Sequence, residues 1–82
     1  VPAVTSKSRK ALLELRVCSS LLLSDAKHLK QHIDIVTNMW LENSLSREIA
    51  KEALVYLEHI EKCINTIRRA LNALFEEEKA SV

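Results

Sequence analysis

From Ser46 to Lys79 the chain carries neither Gly nor Pro, and Ala50, Ala53, Leu57, Ile60, Ile64, Ile67, Leu71 and Leu74 recur in alternating steps of three and four. That is a sustained heptad seam, the pattern that holds one face of a long helix against a partner helix. A second stripe, Ile49, Tyr56, Cys63 and Ala70, runs beside the first. Together they make a face wider than a two-stranded coiled coil needs, so this helix is expected to have neighbours on more than one side.

The rest of the chain has to supply those neighbours. Val1 to Ser6 forms a short arm in which Pro2 biases Val1 toward extended backbone, and Ser6 or Ser8 can cap the adjoining helix. That first helix is predicted over about 7–23, with an inner stripe of Ala11, Leu15, Cys18 and Leu22. A second line, Leu13, Val17 and Leu21, lies opposite, and Leu12 and Leu23 occupy the remaining flank, so this helix is apolar around most of its circumference. Ser24 is a good N-cap and Asp25 and Ala26 suit a first turn, which predicts a second helix over about 25–41 with Ala26, Leu29, Ile33, Val36 and Trp40 inward. Glu42, Asn43 and Ser44 form a short polar loop, and Ser44 or Ser46 caps the long helix over about 46–79, with Glu48 in its first turn.

The expected fold is therefore all-α, a small bundle of three helices with the C-terminal one longest. At 1.5 Å per residue that helix is about 50 Å long and each of the others only about 25 Å, which leaves Ile67, Leu71, Leu74 and Phe75 uncovered. The competing architecture keeps the helix unbroken at Ser24, giving a long helical hairpin that could dimerise into a four-helix bundle. Its apolar spacing passes from Leu22 through Ala26 to Leu29 as a stutter. The local capping chemistry of Ser24 and Asp25 tips the expectation toward three helices.

Composition limits the functions open to such a bundle. The 82 residues make one domain at the small end of what a single core sustains. Twelve Lys and Arg against eleven Asp and Glu give a net charge of +1, no overall field for nucleic acid or an anionic membrane. The longest leucine run, Leu21 to Leu23, is far short of a membrane span, and the first ten residues lack the apolar core of a signal peptide. Two cysteines, Cys18 and Cys63, sit among apolar residues as small hydrophobes, which points to a reducing intracellular setting, cytoplasmic or nuclear. The start without Met and the plain KASV ending suggest a piece of a longer protein.

Few residues offer chemistry. His28 and His32 stand four apart with Asp25 three residues before them, and His59 and Cys63 repeat the spacing. These are competent zinc ligands, but there is no HExxH and no CxxC, and His28 and His59 fall off the apolar stripes toward solvent, so surface histidines are expected and no metal or cofactor. Ser19 and Ser20 lack a neighbouring base, and without glycine there is no phosphate-cradling loop, so no enzymatic activity is expected.

Two charge clusters oppose the dipoles of their own helices. Lys7, Arg9 and Lys10 crowd the first turn of helix one, and Glu76, Glu77 and Glu78 crowd the last turn of the long helix. Solvation is their expected role. A phosphate- or nucleic-acid-binding surface built from Lys7, Arg9, Lys10, Arg68 and Arg69 is the alternative function, with nucleic acid the less favoured partner. The main expectation is a protein-interaction or oligomerisation domain that binds a second copy or another protein's amphipathic helix. Its contact residues are expected among apolar side chains left outside the core stripes or left uncovered: Leu13, Val17, Leu21, Ile35, Met39, Val55, Ile67, Leu71, Leu74 and Phe75.

Overall fold

The computed structural model describes residues 5–80, the backbone alone at residue 80; of the arm expected over 1–6, residues 1–4 lie outside them, Thr5 caps the first helix and Ser6 begins it. It contains two helices rather than three: α1, Ser6–Leu41, and α2, Arg47–Ala80, packed antiparallel as a hairpin. The hairpin measures 60 × 15 × 15 Å, so the two arms, of 36 and 34 residues, lie side by side along nearly their full length.

The break expected at Ser24 does not occur. Ser24 is inside α1, and its carbonyl accepts from the His28 ring (2.8 Å). An N-cap there would contribute about 1 kcal/mol. Folding α1 back at that point would leave the C-terminal half of α2 alone in water, and a single fully buried Leu or Ile is worth about 1.5–3 kcal/mol. Packing along the whole of α2 outweighs the local capping signal.

The burial pattern gives the seam its phase. In α1 the series Ser8, Ala11, Leu15, Cys18, Leu22, Asp25, Leu29, His32, Val36 and Met39 steps strictly by three and four, and every α1 residue that is buried or half-buried belongs to it except Glu14. The corresponding α2 series is Ser46, Ile49, Ala53, Tyr56, Ile60, Cys63, Ile67, Ala70, Leu74 and Glu77. No stutter is needed. The inward residues of the second half of α1 include Asp25, His32 and Met39; Ala26, Ile33 and Trp40, expected inside, are exposed. In α2 the seam joins the whole of the second predicted stripe to half of the first, Ala53, Ile60, Ile67 and Leu74, and Leu57, Ile64 and Leu71 move to its edge.

Among the described residues, the four apolar ones below a tenth exposed are all small: Ala11, Ala53, Cys63 and Ala70. Small side chains let the helix axes approach closely, and two helices alone enclose no space for a large one. Among the described residues no side chain is fully buried.

Both ends of α1 are closed by local hydrogen bonds, side chain to backbone at its start and backbone to backbone at its end. At its start the cap is Thr5, not Ser6 or Ser8: the Thr5 hydroxyl accepts from the Ser8 N–H (3.1 Å) and the Ser8 hydroxyl accepts from the Thr5 N–H (2.9 Å), a reciprocal capping box. At its end Asn43 takes a positive φ of 55°, the Ser44 N–H reaches the Met39 carbonyl (2.8 Å), and the Asn43 N–H reaches that of Trp40 (3.1 Å). This pair of bonds is a Schellman motif with Asn in the position usually held by Gly. Ser46 then precedes α2, its carbonyl accepting from the Ala50 N–H (3.3 Å), and Glu48 occupies the first turn as expected.

Because the left-handed conformation costs a Cβ-bearing residue about 1–2 kcal/mol, and Asn less than most, Asn43→Gly should hold or raise the melting temperature while Asn43→Val lowers it by several degrees. Thermal unfolding followed by circular dichroism reads both. Equal melting temperatures for the two variants would contradict the turn.

Candidate functional site

Antiparallel pairing of two heptad seams creates two broad faces. With Ser8 and Ser46 at position a and Ala11 and Ile49 at position d, positions e and b of both helices lie on one side of the hairpin, the more apolar one, and positions g and c lie on the other, which carries His28 and His59. The two sides differ in chemistry.

One side gathers the polar aromatic groups. Tyr56 stacks on His28 (ring centroids 5.4 Å, planes within 7°), meets His32 at 5.0 Å, and takes His59 edge-on at 6.4 Å. All three histidines of the chain therefore surround one tyrosine. The His32 ring is fixed at both nitrogens: Nδ1 lies 2.8 Å from the His28 carbonyl, and Nε2 lies 2.8 Å from Glu52 Oε2. Both partners are acceptors, so both contacts are satisfied only when the ring carries two protons. The backbone carbonyl first, and the Glu52 carboxylate second, accordingly raise the His32 pKa above its ordinary value. Among the described residues no group of three or more His, Cys, Asp or Glu side chains could hold a metal ion.

The two cysteines meet across the seam. Cys63 is buried and Cys18 half-buried, and their side chains interact. Burial, chiefly, and the neighbouring Cys18 push the Cys63 thiol above its usual range, the reverse of what a nucleophilic cysteine needs. Ser19 and Ser20 both donate to the Arg16 carbonyl at 3.1 Å.

The two opposed charge clusters face one another. Antiparallel packing puts the start of α1 beside the end of α2, where Lys7 approaches Glu76 (3.9 Å) and the Thr5 hydroxyl donates to Glu77. Each cluster is unfavourable to its own helix dipole and favourable to the neighbour's. The Lys7–Glu76 pair itself is exposed and contributes little. The five basic residues of the phosphate-binding alternative do not share a surface: by heptad position Arg9 and Arg68 lie on one face, and Lys7, Lys10 and Arg69 on the other.

The ten expected contact residues are likewise dispersed. Met39, Ile67 and Leu74 are half-buried in the seam. Leu13, Val17 and Leu21 line a shallow open groove on the outer surface of α1 with Arg16 and Ser20, and Ile35 and Val55 lie on the histidine side. Leu71 and Phe75 lie on the opposite side, where Leu12, Leu23, Ile33, Trp40, Leu54, Leu57 and Ile64 join them. That side thus holds nine of the sixteen exposed large apolar side chains of the described residues, against four on the histidine side. Sequence reasoning missed this surface because it placed Ile33, Trp40, Leu57 and Ile64 in the core. Their spacing of seven equals that of the seam, so only the phase set by the partner helix separates them from core residues.

No family model, curated protein or solved structure matches the chain at a significant level. Among the described residues, no helix is long and apolar enough to cross a membrane.

The raised pKa of His32 has a definite sign in stability. A group that binds its proton more tightly when folded contributes fully below its unfolded pKa of about 6.5, and the contribution is lost as pH rises through the folded value. The melting temperature should therefore fall as pH is raised from about 6 to about 8, and Glu52→Gln should flatten that slope. Ring-proton NMR checks the cause directly: a His32 titration midpoint at or below the ordinary value would contradict the assignment.

Proposed function

We propose that the hairpin is a non-enzymatic helix-interaction module of an intracellular protein, which works by burying its apolar e/b face against helices of another chain. The observation that carries this reading is the concentration of nine large apolar side chains on one face of a molecule that encloses none of them. Scattered exposed leucines need no explanation, but a contiguous patch that runs along an element is the usual mark of a binding surface. The hairpin also has no closed core of its own, so a third or fourth helix would add the burial that two helices cannot supply. Flanking charges would then select among partners.

The reading requires the face to be dispensable for the fold of the hairpin. Leu54 and Phe75, each 59% exposed, should tolerate replacement by Glu together with a change of no more than about 1 kcal/mol, whereas Ile60→Glu with Ile67→Glu in the seam should unfold the chain. A photoreactive side chain at Ile64 should cross-link to another polypeptide chain, and the same group at Val17 should not. If the Leu54 and Phe75 substitutions unfold the hairpin as completely as the seam pair, these residues belong to its own core and the proposal fails.

A further inference from the structure

Resting on that proposal, we infer that the occupant of the apolar face is a single amphipathic helix whose apolar stripe is flanked by Asp and Glu. The chain as a whole is nearly neutral, but the charges on its two faces are not alike. Heptad positions e and b hold Arg9, Arg16, Lys30, Arg47 and Arg68 against only Glu61 and Glu78, while positions g and c hold four cations and four carboxylates. The five cations on the apolar face are all exposed, and of these only Lys30 has an ion-pair partner among the described residues, Asp34. Guanidinium groups at the rim of an apolar surface favour carboxylates on what binds there and repel cations.

Shape selects one helix. The surface is two helices wide, about 15 Å, and 60 Å long. A third helix, about 10–12 Å across, can nest in the furrow between α1 and α2 along the row formed by Leu12, Ile33, Leu57, Ile64 and Leu71. A second copy of this chain would instead set one arginine-rich rim against another, and like charges brought together at an interface cost affinity.

The only tryptophan, Trp40, lies on this face, 69% exposed, and reports its occupation. The test titrates the 82-residue chain with two tryptophan-free four-heptad peptides that share Leu at their seam positions and differ only in flanks, all Glu or all Lys. The Glu-flanked peptide should shift Trp40 emission to the blue and bind about ten-fold or more tighter than the Lys-flanked one, an advantage that shrinks with added salt. Arg16→Glu with Arg68→Glu should reverse the preference. Equal binding of the two peptides, or a preference that survives the charge reversal, overturns the inference. A chain that is already dimeric by light scattering, with Trp40 emission that reddens on dilution, also overturns it, because a second copy then fills the face, although the broader interaction role stands. A monomer that binds neither peptide and forms no cross-link from Ile64 sinks both.

Discussion

Close packing of two heptad seams in antiparallel register is the constraint on which everything else in this molecule depends. Small residues at Ala11, Ala53, Cys63 and Ala70 let the two helices approach, and larger side chains such as Leu15, Leu29, Ile60 and Leu74 fill the seam from its sides without being enclosed. Because neither helix contains Gly or Pro, each can run unbroken for as long as the other offers a surface. The single turn between them relies on Asn43 to enter left-handed backbone where a glycine would ordinarily do so.

Register is set by polar contacts at the open end of the hairpin and toward its turn. Thr5 and Lys7 reach Glu77 and Glu76 at the open end, and His32 reaches Glu52 toward the turn. Sliding one helix past the other by a heptad would separate all of these at once. Individually they are modest, since most are exposed, but they agree with one another and with the alternation of small and large seam residues, and agreement across levels is what selects one arrangement from several near-equivalent ones. The same geometry sorts the remaining side chains into a histidine face with balanced charge and an apolar face rimmed by arginine.

Much of this was legible in the sequence, and the part that was not has a physical cause. Helical class, the turn at Glu42 to Ser44 and the inward run from Ala11 to Leu22 follow from periodicity and turn chemistry. The phase beyond Leu22 does not, because a stripe chosen for hydrophobicity selects Ala26, Ile33 and Trp40 over Asp25, His32 and Met39, and only the partner helix decides which row faces in. Ser24 and Asp25 read as a helix start because a cap is a local signal, whereas the energy that overrides it comes from α2, more than twenty residues away. The opposed charge clusters read as solvated helix ends for the same reason: their pairing shows only beside the other helix. At the candidate interaction surface the sequence marked Leu71 and Phe75 and missed Leu57 and Ile64, which are indistinguishable from core residues until the seam has a phase.

The continuity of α1 through Ser24, and with it the two-armed hairpin, is tested most directly by small-angle X-ray scattering from the chain, extrapolated to infinite dilution. The hairpin predicts a radius of gyration near 18.2 Å and a profile with one dimension far longer than the other two. A compact globule of this length has a radius of gyration of about 12 Å. A value near that lower figure, with a rounded profile, would mean that α1 folds back on itself and that the seam described here does not form.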